Sequence, residues 1–273
     1  MKLAIIQMKV CADKQKNILR AGEFIAKAAA DGADLAVLPE MFSCPYDTAL
    51  FGEYAEPEGG KSFAAMSEYA KNNKIWLAAG TMPELAAKGG VYNTLYMYGR
   101  DGRLAGKHRK LHLFDIDIKD GQYFRESDTL SAGESITVLE TELGKIGLAI
   151  CYDIRFPEMF CQMALRGAKL IVVPAAFNLT TGPKHWELLF RARALDSQAF
   201  IAGVAAARDT KAGYVSYAHS ILTNPWGEVV LQMGENENIA VCDVNFEEAD
   251  IAREQLPIIR QRRPDVYEKY YSQ

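Results

Sequence analysis

Cys151 ends the apolar run Gly147–Leu148–Ala149–Ile150 and is followed at once by Tyr152, Asp153 and Arg155. A thiol at the mouth of a strand, beside charged groups, is placed to attack an electrophile. Neighbouring cations would lower its pKa toward the reactive thiolate. Two other strand-like runs end on reactive groups. Leu35–Leu38 is stopped by Pro39 and delivers Glu40, because proline fixes its own φ and restrains the residue before it. Burial between Pro39, Met41 and Phe42 would raise the Glu40 carboxyl into the range of a general base. Lys110 follows Gly106–Lys107–His108–Arg109; turned inward, its ammonium could stabilise the oxygen of a tetrahedral intermediate. Nucleophile, base and cation at three strand ends suggest one cysteine hydrolase site.

Each residue also has a plainer reading. A strand cysteine is usually a small buried hydrophobe, a loop glutamate is usually exposed, and a lysine in a basic run usually faces solvent. Context separates Cys151 from the others. Cys11 and Cys44 fall in polar loops, Cys161 in a helix and Cys242 in an apolar strand.

Such a site needs strands whose ends converge, and the pattern supplies them. Leu3–Met8 reads as a strand, and residues 15–30 place Ile18, Ala21, Phe24, Ile25 and Ala28 at helical spacing, with Gly32 as a C-cap. Leu35–Leu38, a helix over Lys61–Asn72 and a strand over Ile75–Gly80 follow. Asp101–Gly102 marks a hairpin between Val91–Tyr98 and Leu104–Lys107. Residues 111–135 are polar and irregular, too long for a simple connection. Further strands lead to Cys151, over Leu170–Pro174, over Phe200–Ala205 and over Ser220–Thr223; the turn Asn224–Pro225–Trp226–Gly227 leads into Glu228–Gln232, and Ile239–Val244 closes the sheet. Helices are expected over Phe156–Arg166, with Pro157 in the first turn, and over Lys184–Ser197. Continuous apolar strands separated by helices predict an α/β fold with covered sheets. Segments 1–135 and 136–273 repeat the pattern, as two stacked halves of one four-layer α-β-β-α domain.

Composition narrows the function. The chain has 273 residues, 31 basic and 35 acidic, for a net charge of −4, which gives no support for nucleic-acid binding. No apolar run approaches a bilayer span and no signal-peptide pattern opens the chain. Five scattered cysteines without a C-x-x-C pair argue against a disulfide scaffold and for a reduced, cytoplasmic protein. His108 and His112 are four apart, but Arg109 and Lys110 between them would repel a metal cation. No G-x-S-x-G elbow and no glycine-rich phosphate loop occurs.

Three motifs now carry a resemblance: Leu38–Pro39–Glu40, Gly106–Lys107–His108–Arg109–Lys110–Leu111–His112, and Gly147–Leu148–Ala149–Ile150–Cys151–Tyr152–Asp153–Ile154–Arg155–Phe156–Pro157–Glu158. Together, in order, and separated by 70 and 41 residues at their reactive positions, they resemble the Glu–Lys–Cys triad of the nitrilase superfamily of carbon–nitrogen hydrolases. The likeness runs from about residue 3 to residue 268. Segments 113–117, 124–130, 176–188 and 224–228 are most similar to the omega-amidase branch.

The resemblance implies a four-layer nitrilase-type sandwich and a metal-free, cofactor-free hydrolysis of small amides. Glu40 would be the base and Cys151 the nucleophile that forms a thioester. Lys110 and the Tyr152 backbone N–H would stabilise the oxyanion, and Glu126, a fourth pocket residue, would orient Lys110 and the substrate. Expected substrates are amides of 2-oxo dicarboxylic acids, 2-oxoglutaramate and 2-oxosuccinamate. Their free carboxylate needs a cation. Arg155 is the first choice, because guanidinium matches carboxylate bidentately; the rival role is an ion pair with Glu158 or Asp153. Tyr46 and Phe177 are expected in the pocket wall. N-carbamoyl amino-acid hydrolysis and broader aliphatic amidase activity would keep the triad, and a catalytically silent protein-binding scaffold is the non-enzyme alternative. A homodimer or higher homo-oligomer is implied, with helix 158–166 and a C-terminal extension over 247–273 as the subunit contacts.

Overall fold

Alternation along the first strand sets the architecture of the computed structural model, which describes residues 1–118 and 123–270. In β1 (Lys2–Gln7), Leu3 and Ile5 join one buried core while Ala4 and Ile6 join another, as the two-residue period of a strand requires. A strand buried on both faces must lie between two layers.

The outer layer on one side is α1 (Lys14–Ala30), which follows an Asp13 N-cap and turns Ile18, Ala21, Phe24, Ile25 and Ala28 inward. Gly32 just beyond it has φ of +81°, as expected of a helix stop. Next come β2 (Leu35–Val37), α2 (Thr48–Tyr54), α3 (Lys61–Asn73), β3 (Trp76–Ala78), β4 (Met82–Leu85), β5 (Val91–Tyr98) and β6 (Leu104–Arg109). β1, β2 and β3 run parallel. β5 takes β3 and β4 along one edge and β6 along the other, so the hairpin expected at Asp101–Gly102 is present. The polar stretch 111–135 holds a small hairpin, β7 (Asp115–Asp117) with β8 (Tyr123–Arg125), and a 3₁₀ turn at Glu126–Asp128.

The second sheet is built from β9 (Thr137–Thr141), β10 (Gly144–Leu148), β11 (Leu170–Ala175), β12 (Phe200–Ala205), β13 (Ile221–Thr223) and β14 (Val229–Gln232). They lie in the order β14-β13-β12-β11-β10-β9. α4 (Pro157–Leu165) and α5 (Gly182–Ser197) bury Phe160, Met163, Trp186 and Phe190 against it. Leu3, Ile5, Val37 and Leu95 of the first sheet meet Leu148, Val172 and Ile201 of the second in one core. The result is the α-β-β-α sandwich.

One expectation changes. The chain's second half does not keep to the second sheet: β15 (Asn238–Asp243) returns to pair antiparallel with β1, from Lys2↔Asp243 to Gln7↔Asn238. The extension then opens with α6 (Phe246–Gln255), whose Arg253 donates to the carbonyls of Gln198 and Ala168. That part is fastened to its own chain; residues 271–273 of the proposed subunit contact lie outside the described residues. Among the described residues no helix is long and apolar enough to cross a membrane.

Candidate active site

The ends of β2, β6 and β10 converge, and the backbone at each is held before any side chain is considered. At Pro39–Glu40, Gly80 has φ of +53° and its backbone passes so close that a Cβ there would lie 2.1 Å from the Pro39 carbonyl oxygen. Only glycine permits that approach. At Lys110 the backbone N–H donates to the Asn93 carbonyl at 2.9 Å, and the Lys110 carbonyl accepts from Gly133 at 2.8 Å. A Cβ on Gly133 would lie 2.3 Å from the Arg109 carbonyl oxygen. Cys151 has φ of +45°, a strained conformation for a residue with a Cβ, and it opens a 3₁₀ turn over Cys151–Arg155. Asp153 secures that turn by accepting the Ile150 N–H at 2.9 Å.

These ends bring Glu40, Lys110, Glu126 and Cys151 together, each at most 3% exposed. Lys110 Nζ donates to Glu40 Oε1 at 3.1 Å and to Glu126 Oε1 at 2.9 Å, with the Tyr46 hydroxyl at 3.5 Å. Glu126 is fixed in turn by the Tyr46 hydroxyl and the Phe114 N–H, both donating at 2.7 Å. Asn93 Nδ2 donates to Glu40 Oε1 at 2.8 Å. Glu40 Oε2 has no hydrogen-bond partner among the described residues, and the Cys151 thiol is one of the groups that act on that carboxyl. The thiol sulfur also accepts the Ala176 N–H at 3.4 Å. The Tyr152 N–H lies in the first turn of the 3₁₀ segment, where backbone donors have no intrahelical acceptor.

The electrostatics correct one expectation. The thiol is not poised as a thiolate: burial drives its pKa well above the usual value, Glu40 adds to this, and Lys110 and the Ala176 N–H only partly oppose it. Burial also raises Glu40, against Lys110 and with the help of Glu126. Burial alone would lower Lys110, but Glu126 and Glu40 outweigh it and keep the ammonium protonated. The resting arrangement is a buried thiol beside a carboxyl of raised pKa and a fixed cation.

A cavity of about 530 Å³ opens onto Glu40 between Tyr46, Phe124, Ala176 and Tyr214. Tyr46 lines this cavity, stacking on Phe124 at 5.5 Å and tilting against Tyr214 at 4.7 Å. Phe177 is different. It lies in the core edge-on to Trp186 at 5.1 Å and is not among the lining residues. Arg155 rests over the rings of Phe177 and Tyr152 at 5.1 and 5.5 Å. Its proposed ion pairs with Glu158 or Asp153 do not occur, because Asp153 is taken up by His108 and His112.

Several participants were not singled out from sequence. Asn93 is fully buried inside β5, and an amide side chain within a strand was the available signal. His108 and His112 were weighed only as metal ligands, yet both meet Asp153, at 3.3 and 2.8 Å. Tyr214 and Ala176 carried no signal, because their roles come from contacts across the fold.

The chain is similar to known carbon–nitrogen hydrolases. The carbon–nitrogen hydrolase family model matches residues 2–254. The omega-amidase NIT2 of Mus musculus is 47% identical over 266 residues, covering 97% of this chain and 96% of that protein, and the Homo sapiens one matches to the same extent. Among solved structures, Saccharomyces cerevisiae Nit3, a member of branch 10 of the nitrilase superfamily, superposes with a TM-score of 0.89 at 39% identity, covering 96% of both chains. A carbon–nitrogen hydrolase from Helicobacter pylori shares the fold at a TM-score of 0.86, 23% identity, and coverage of 98% and 97%. With buried Glu, Lys and Cys side chains gathered at three strand ends, this chain belongs to the carbon–nitrogen hydrolase family of the nitrilase superfamily, as an amidohydrolase of the omega-amidase type.

Proposed function

We propose that this protein hydrolyses the terminal carboxamide of small 2-oxo dicarboxylic acid amides, 2-oxoglutaramate and 2-oxosuccinamate, through a thioester on Cys151. The observation that carries the chemistry is Lys110 held between Glu40 and Glu126 beside a buried thiol. Glu40 removes the thiol proton as Sγ bonds to the amide carbon. Lys110 Nζ and the Tyr152 N–H stabilise the oxyanion. As the intermediate collapses, the C–N bond breaks, Glu40 returns the proton to nitrogen, and ammonia leaves. Glu40 then takes a proton from water while its oxygen adds to the thioester. The C–S bond breaks, the thiol is restored, and the acid departs. A base whose pKa is raised by burial suits both proton transfers.

The substrate reading is supported by the relatives named omega-amidase and by Arg155, a cation without a carboxylate partner among the described residues. The test is ammonia release from 2-oxoglutaramate beside glutamine, an N-carbamoyl amino acid and a simple aliphatic amide, with Cys151→Ala as control. Selective turnover of the 2-oxo amide, lost in the variant, supports the proposal. Preference for another amide overturns the substrate, and no turnover of any overturns the chemistry.

A further inference from the structure

Arg155 ends the 3₁₀ turn that Cys151 opens, and among the described residues it has no carboxylate partner. Tyr214, a cavity-lining side chain, lies within electrostatic reach of both Cys151 and Arg155. The guanidinium is only partly buried and rests over two aromatic rings, which support its plane without cancelling its charge. Among the described residues its Nε has no partner, and its Nη1 meets His185 Nδ1 at 3.3 Å, in the first turn of α5.

That contact dictates the state of the imidazole. A guanidinium nitrogen can only donate, so Nδ1 must present a lone pair and the ring hydrogen must sit on Nε2. Burial and the charges of Arg155 and Lys184 all disfavour the imidazolium. Histidine thus gives Arg155 an acceptor that carries no charge. An aspartate or glutamate there would form an ion pair and repel an incoming carboxylate. An apolar residue would leave a long, rotamer-rich side chain to be ordered by the substrate itself.

We infer that His185 is a positioning residue which aims the Arg155 guanidinium at the substrate's free carboxylate while leaving its charge for that carboxylate. This rests on the proposed preference for carboxylate-bearing amides and deepens it. The selection of charged over uncharged amides is set by Arg155 and His185 together.

The experiment compares KM and kcat for 2-oxoglutaramate and for butyramide in the wild type, His185→Ala, His185→Asn, His185→Glu and Arg155→Ala, with thermal melting of each. The amide oxygen of asparagine can occupy the place of Nδ1. His185→Ala should shift the ratio of the two KM values about tenfold against 2-oxoglutaramate, the scale of one hydrogen bond to a charged group. His185→Asn should return that ratio to within about threefold of wild type, and His185→Glu should shift it further than alanine does. A merely structural role would change both substrates alike, and that result overturns the inference. If Arg155→Ala shifts the ratio and His185→Ala does not, the role of His185 is overturned while the substrate reading stands. A wild type indifferent to the carboxylate overturns both.

Discussion

Asp153 holds His112 twice, accepting its backbone N–H at 3.0 Å and its Nδ1–H at 2.8 Å. Asp153 lies two residues past Cys151, and His112 two past Lys110. The same carboxylate caps the Ile150 N–H, so one buried group joins the nucleophile's turn on the second sheet to the lysine's strand end on the first. Asp153→Asn should lower kcat by about a hundredfold with little change in KM, because a misaligned nucleophile loses more in the transition state than in the ground state. A proportionate rise in KM with unchanged kcat would contradict this.

The same carboxylate should be visible in acid. Burial alone would raise its pKa, but hydrogen bonds from His108 and His112 lower it from 3.8 to about 2. The folded value is below the unfolded one, so the stabilisation is present above about pH 4 and fades as pH falls toward 2. Its size is about 2 kcal/mol. Urea midpoints measured from pH 2 to 6 should fall in acid more steeply for wild type than for Asp153→Asn. Parallel curves would rule the contribution out.

Glu126 is the second carboxylate on Lys110, accepting from Nζ at 2.9 Å. Glu126→Gln removes the larger of the two carboxylate influences that hold the ammonium charged, and should cost about a hundredfold in kcat. Tyr46→Phe removes one donor to Glu126 and the longer contacts of the same hydroxyl with Glu40 and Lys110, and should cost about tenfold. Equal losses in the two variants would mean that the Tyr46 hydroxyl matters as much as the Glu126 charge.

Because burial raises the Cys151 thiol, its alkylation should not follow the profile of a preformed thiolate. Labelling at Cys151, followed by mass spectrometry from pH 6 to 10, should keep accelerating with pH. A plateau at or below pH 7 would show an ionised resting thiol and remove the need for Glu40 in the first proton transfer.

Glu40 and Cys151 were legible in the sequence because each follows an apolar run, and a strand end is where a buried sheet can present a side chain; Lys110 closes the basic run Lys107–Arg109 and was legible from its place among the three motifs. The sign of the thiol's shift was not legible, since a neighbouring cation can be guessed from spacing but depth of burial cannot. Asp153 and His112 are 41 residues apart, and Arg155 and His185 are 30 apart. Pairs of that kind exist only once the sheets are stacked. Periodicity marked residues 239–244 as a strand but carried no information about which sheet receives it.

That last strand governs the order in which the molecule can be completed on the ribosome. β1 and its partner β15 are paired from Lys2↔Asp243 to Gln7↔Asn238, so β1 must wait for nearly everything between them to be translated. At cellular rates the delay is on the order of tens of seconds. Until then β1 carries an unpaired edge, the kind of surface that recruits stray strands. A nascent chain that has already made Glu40, Lys110 and Cys151 is still an unfinished sheet, open to chaperones and proteases alike.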